Sequence, residues 1–231
     1  MSVHVIASYD GTANENDSLA LARLLGQAGA EVSIAYVRHA QEPDSDREAL
    51  AQSEAETLLD RGAELLGIPG AAKHVVTGRS TPEGLAALAE QTGADVIVFC
   101  SDSHTARGHI GIGNSAERLL DGGRTAVAIA PAGLAESSGA VRRIVAIGDA
   151  GGGAEATAQS LAHALGATVA PVVNEEADLL VLDSRPTVGE GRVSLSSSAT
   201  HLIEIANCAV LAVPRGRTLA FDGAPVGATA A

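Results

Sequence analysis

Ser101–Leu120 reads SDSHTARGHIGIGNSAERLL. It follows a continuous apolar run, Val96–Cys100, crosses a loop carrying Gly108, Gly111 and Gly113, and enters a helical pattern at or just after Asn114. A buried strand, a glycine loop and a helix in that order make one half of a strand–helix crossover. Glycine lets the backbone lie against a ligand, and the first turn of the following helix offers unpaired N–H groups at its positive end. An anion is what such a place suits, although a glycine loop taken alone is also a plain turn.

Working outward, the same alternation repeats. Val3–Ser8 is a β-branched run closed by Tyr9-Asp10-Gly11-Thr12, which puts Asp10 at a strand's carboxyl end. Asp17 or Ser18 then caps a helix with Leu21, Leu24, Leu25 and Ala28 at helical spacing. Glu31–Val37 is a second strand, and Glu48–Leu66 a long amphipathic helix stopped by Gly67. Lys73–Thr77 is a third strand, followed by a helix opened by Ser80-Thr81-Pro82-Glu83 and closed at Gly93. Asp95–Cys100 and Thr125–Ala130 complete five strands. Strands alternating with helices predict a parallel sheet covered on both faces, with ligands at the carboxyl ends of the strands beside the switch point.

After the linker-like GLAESSGA of 133–140 the pattern restarts. Arg142–Asp149 repeats the first strand, Glu155–Leu165 the first helix, Leu179–Asp183 the fourth strand, Ser197–Ala206 a helix and Ala209–Val213 the last strand. Nothing answers to the second helix, third strand and third helix. A strand over Thr168–Val173 would stand only about five residues before Leu179, too few for an ordinary parallel crossover. Either that segment is not a regular parallel strand or the link is stretched under the sheet. Beyond Gly216 the small residues predict a flexible tail.

Composition limits what the chain does. A formal net charge of −13 and a pI near 4.8 argue against nucleic acid and against an anionic membrane as partners. Aromatic content of 2% with no Trp means an aliphatic core and no stacking platform for bases. No apolar run reaches the roughly 20 residues of a membrane span, and Met1–Asp10 lacks the pattern of a signal peptide, so a cytoplasmic location is expected. Cys100 and Cys208 stand at the ends of apolar runs, as buried thiols do. His104 and His109 show no metal spacing, and no carboxylate pair or Ser-His-Asp arrangement is placed by spacing, so no catalytic residue and no metal are expected.

The Asp10-Gly11-Thr12 turn, Tyr36-Val37 ending the second strand, GADVIVFCS over 93–101 and GNSAERLL over 113–120 together resemble the universal stress protein family over nearly all of Val3–Pro131. GRVSLSSSATHLIEIANCAVLAVPRG, 191–216, resembles the family's closing loop, helix and strand. The resemblance implies a tandem form: two Rossmann-like domains of the adenine nucleotide alpha hydrolase-like α/β class with parallel sheets, a full copy at 1–132, a linker at 133–140, a shortened copy at 141–216 and a tail at 217–231. It also implies that the two pack as a pseudo-dimer with their fifth strands at the interface. A further homodimer is left open.

By resemblance the function is that of a stress-response sensor binding an adenine nucleotide, ATP or AMP, with Mg²⁺ only as the counter-ion of ATP. Family members that bind ATP set an Asp near the adenine, use a Val at the end of strand two, and hold the phosphates and ribose with Gly-x2-Gly-x9-Gly-Ser/Thr. Carried over, these are Asp10, Val37, Gly108, Gly111, Gly113 and Asn114, with Ser115 next. The pattern departs in that one residue separates Gly111 from Gly113 and Asn114 stands for Ser or Thr. Arg107 and His104 are candidate phosphate partners. The alternative is a scaffold that binds no nucleotide and works through protein partners; a slow ATPase or nucleotidyltransferase ranks third.

Overall fold

The computed structural model describes residues 2–12, 14–39, 44–137, 140–149, 151–170 and 177–223. The first half runs β1 (His4–Ser8), α1 (Glu15–Gln27), β2 (Glu31–Arg38), α2 (Ser45–Leu66), β3 (Ala72–Thr77), α3 (Thr81–Thr92), β4 (Val96–Cys100), α4 (Asn114–Leu120) and β5 (Ala126–Ala130). The second runs β6 (Arg143–Ile147), α5 (Gly153–Leu165), β7 (Thr168–Val169), β8 (Leu179–Asp183), α6 (Ser197–Ile205) and β9 (Ala209–Val213). A short 3-10 turn, Leu134–Glu136, lies between them.

Among the described residues the nine strands join one sheet in the order β3-β2-β1-β4-β5-β9-β8-β6-β7. Every pairing is parallel except β5 with β9. The fold is therefore α/β with a mostly parallel sheet. Such strands are covered on both faces, which explains why they read as unbroken apolar runs. Val5 and Ala7 pack with α1, α2 and α5 on one face, through Leu21, Leu25, Leu59 and Leu161. Ile6, Ile97 and Phe99 pack with α3, α4 and α6 on the other, through Leu85, Leu120 and Ile203.

The two halves repeat their hydrogen bonds at one constant spacing. Ser101 Oγ donates to the Ala130 carbonyl, 29 residues on, at 2.7 Å, and Ser184 Oγ to the Val213 carbonyl, also 29 residues on and at 2.7 Å. Ten residues after each serine a backbone N–H returns the bond, from Gly111 at 3.3 Å and from Ser194 at 3.2 Å. Each loop is closed by a second pair, Asp102 N–H to Gly111 O at 3.0 Å and Arg185 N–H to Ser194 O at 2.8 Å. The β5–β9 register centres on Ala128 opposite Leu211, with Val127 opposite Ala212 and Ile129 opposite Val210. Ala128 lies 27 residues after Ser101 and Leu211 lies 27 after Ser184, so the register centres on residues equally far from the two serines.

α1 starts at Glu15 behind Asn14, so Asp17 and Ser18 lie inside its first turn. Asp17 is not free to cap the helix because its carboxylate accepts the N–H groups of Gly133 and Ala135, at 2.8 and 2.7 Å, and anchors the segment expected as a linker. Of Thr168–Val173, left open above as a strand, Thr168–Val169 forms a short exposed strand parallel to β6 at the sheet edge, and 171–176 lie outside the described residues.

The stretch after Gly216 is no loose tail over its described length. Leu219 and Phe221 are buried, and their N–H groups donate to Thr157 Oγ1 and Ser160 Oγ on α5, at 3.0 and 2.7 Å. Gly223 N–H then donates to the carbonyl of Ala28, at 3.0 Å, so the segment spans from α5 to the end of α1. Two apolar side chains at alternate positions drive this docking. Residues 224–231 lie outside the described residues.

Candidate functional site

The carboxyl ends of β1, β2 and β4 form the expected edge, and the sheet order reverses between β1 and β4. Asp10 follows β1 and is exposed. Its carboxylate accepts the Thr12 N–H at 2.9 Å, a local turn that this side chain favours. Its own N–H donates to the carboxyl of Glu15, which is buried at 8% exposure. Burial pushes the Glu15 carboxyl up to about 9, and the charge of Asp10 adds to the shift. Glu15 is thus protonated at neutral pH, and the corner carries less negative charge than its acidic residues suggest.

Cys100, at the end of β4, faces the same corner. Burial first, and then the charges of Glu15, Asp10 and Asp17, push its thiol up to about 12. It is inert as a nucleophile. Cys208 is likewise pushed up to about 12 by burial. Both are free thiols.

The glycine loop folds on itself. Gly108 takes φ +84°, and its N–H donates to Ala132 O at 2.8 Å, while the Gly111 N–H goes to Ser101 Oγ. A Cβ on Gly111 would stand 2.1 Å from Thr105 Oγ1, so a side chain there would force Thr105 to move. Two of the three carried-over glycines therefore spend their N–H groups within the protein. Gly113 is different: a Cβ there meets nothing within 4 Å, and it stands at the N-cap of α4, which has no side-chain cap. Asn114 is exposed and Ser115 half-buried beside it, and the first-turn N–H groups of a helix have no intrahelical partner.

Val37 lies at the end of β2 as expected, but its side chain is buried against Gly84 of α3, where a Cβ would meet Val37 Cγ1 at 2.7 Å. Only its backbone belongs to the edge. Arg107 is paired with Glu136 at 2.5 Å, and His104 is exposed in a turn where its N–H donates to Asp102 Oδ1 at 3.1 Å. Asp10, Val37 and, beyond its loop, Gly113-Asn114-Ser115 thus follow or close the carboxyl ends of β1, β2 and β4, whereas Gly108 and Gly111 serve the loop. Sequence spacing assigns Glu15 no role and gives Asp17 only that of a helix cap, so neither reads as part of this edge. An Asp five positions before a Glu at a strand-to-helix turn is the one cue that was present.

In the second half Asp183 stands where Cys100 stands in the first. Its Oδ1 accepts the Ala154 N–H at 2.8 Å, and burial, with help from Asp149, raises its carboxyl above the usual range. Cβ atoms on Gly148 and Gly152 would fall 2.1 and 2.4 Å from Asp183 Oδ2. That carboxylate fills the crevice beside the Gly151-Gly152-Gly153 turn.

A doubly wound α/β sheet with a glycine loop after its fourth strand and an Asp after its first defines the class. The model for the universal stress protein family matches residues 4–131, more than half the chain, and the chain belongs to that family. Its structure is similar to that of a universal stress protein from Archaeoglobus fulgidus, 16% identical, with a TM-score of 0.67 over 92% of this chain and 98% of that one. It is similar also to a putative universal stress protein from Pseudomonas aeruginosa, at 13% identity and TM-score 0.59 over 91% and 92% of the two chains. A functionally unknown protein from Pseudomonas aeruginosa is 12% identical, with a TM-score of 0.58 over 92% of each. At such identities the likeness is one of fold. No curated protein matches the chain. Among the described residues no helix is long and apolar enough to cross a membrane.

Proposed function

We propose that this protein is a stress-response regulator that binds an adenine nucleotide at the carboxyl edge of β1, β2 and β4 and acts through its occupancy, without turnover, in the cytoplasm. The observation that carries this is Gly113, which leaves open space at the start of an uncapped helix, on the connection that follows β4, the strand paired with β1. The N–H groups of Asn114 and Ser115 are suited to one phosphate, and the corner at Asp10 to the uncharged adenine, since the Asp10 carboxylate repels phosphate. ATP would bring Mg²⁺ as its counter-ion.

The internal bonding of Gly108 and Gly111 favours a second reading, a scaffold without nucleotide that acts through protein partners. Thermal unfolding with Mg²⁺-ATP, ADP and AMP separates the two, because a ligand at 100 times its Kd adds about 2.7 kcal/mol. A shift that Gly113→Val abolishes supports nucleotide binding, and no shift supports the scaffold. A shift that survives Gly113→Val places the site elsewhere. A flat trace of phosphate release is expected with ATP.

We further infer that the second half is a shortened copy of the first and that the two pack as a pseudo-dimer within one chain. The repeated serine bonds and the β5–β9 register support this. Sedimentation at the mass of one chain is expected, and a stable homodimer would show that the shortened copy leaves a further face to cover.

A further inference from the structure

Because β9 runs antiparallel to β5, its end lies beside the start of β5. A cavity of about 560 Å³ opens there, between α3, the turn before β5 and the segments around Arg192 and Arg217. It is at the amino edge of the first half, opposite the edge considered above. Its volume is that of sites for small molecules.

Three arginines line it: Arg124 from the first half, Arg192 and Arg217 from the second. Arg192 is held by donating to the carbonyl of Gly122 at 2.8 Å. Arg124 and Arg217 make no ion pair and no side-chain hydrogen bond among the described residues. Acidic residues outnumber Lys and Arg by 28 to 15, so three arginines lining one cavity, two of them unpaired among the described residues, are not a consequence of composition. Two carboxylates also line it. That of Asp95 accepts the N–H of His4 at 3.0 Å, and that of Glu90 is exposed, which leaves the three cations in excess. Gly122 and Gly123 leave the floor without side chains.

We propose that this cavity binds a compact polyanion whose charge is carried by phosphate or carboxylate groups, clamped between the two halves of the chain. Guanidinium forks pair bidentately with either group, and arginines from both halves would make such a ligand sense how the halves meet.

Calorimetric titration of the full chain at low ionic strength, with pyrophosphate and separately with citrate, tests it. With every titration made in the Gly113→Val background, so that no phosphate at the nucleotide edge is counted, saturable binding of at least one anion is expected, weakened about tenfold or more by Arg124→Gln/Arg217→Gln and unchanged by the charge-matched Arg23→Gln/Arg47→Gln. Pyrophosphate alone binding assigns phosphate, and citrate alone assigns carboxylate. The proposal is overturned if neither anion saturates below about 10 mM, if binding survives the first double variant, or if the control pair weakens it equally. All four arginines are exposed, and the unfolding temperature of each variant checks that it folds.

Discussion

The backbone N–H of Asp10 donates to the buried carboxyl of Glu15, and the side chain that receives it is held protonated up to about pH 9. Burial of a carboxyl raises its pKa because the charged form is the one that loses hydration. Below the ordinary value of 4.5 the group is protonated whether the chain is folded or not. Between there and about 9 the unfolded chain has released a proton that the folded chain keeps, so stability falls as pH rises. The slope from this group is at most about 1.4 kcal/mol per pH unit. Glu15→Gln keeps an acceptor for the Asp10 N–H and cannot ionise. Urea unfolding between pH 6 and 9 is expected to show a flatter profile for the variant, which gains most at the alkaline end; parallel profiles would place the Glu15 titration elsewhere.

Asp17 has a different role. Its two oxygens accept the N–H groups of Gly133 and Ala135 across more than a hundred residues of chain, at 6% exposure. Asp17→Ala leaves both donors without their partner and is expected to cost about 2–4 kcal/mol in denaturant unfolding. Asp17→Asn, which keeps one acceptor oxygen, should cost distinctly less.

At Gly29 a close approach and a left-handed backbone coincide. The residue has φ +93°, and a Cβ there would stand 2.5 Å from the Gly223 nitrogen. Gly67 has φ +68° with nothing within 4 Å of a Cβ. Gly67→Ala should therefore cost about 1 kcal/mol of backbone strain, and Gly29→Ala about 2 kcal/mol or more together with undocking of the segment from Leu219. Equal losses on thermal unfolding would show that Gly223 is not held against α1.

Ser101 and Ser184 make matching bonds, each donating to a strand carbonyl at 2.7 Å and receiving a loop N–H. Ser101→Ala and Ser184→Ala are expected to cost about 1–2 kcal/mol each, with values agreeing within about 0.5 kcal/mol. A large inequality in denaturant unfolding would mean that the two loops do not carry equal loads.

The strands were legible because a parallel sheet covered on both faces demands unbroken apolar runs, and Val96–Cys100, Leu179–Asp183 and Ala209–Val213 supply them. Helix ends were legible where a local cap sets them: Ser80 accepts the Glu83 N–H, and Gly67 and Gly93 take left-handed conformations. The start of α1 was not, because Asp17, a good cap by type, is claimed by Gly133 and Ala135 from far along the chain.

The sequence by itself determined the order of strands and helices, the aliphatic core and the position of Asp10 and Gly113 at one edge, since periodicity and turn residues act within a few positions. Only the tertiary structure decided which groups at that edge remain open. Gly108 and Gly111 turn their N–H groups to Ala132 and Ser101, Glu15 holds a proton against Asp10, and Leu219 and Phe221 bind down what composition alone marks as a tail. Each of these outcomes depends on a partner distant in sequence or on the loss of water around a buried group, and neither is written in local spacing.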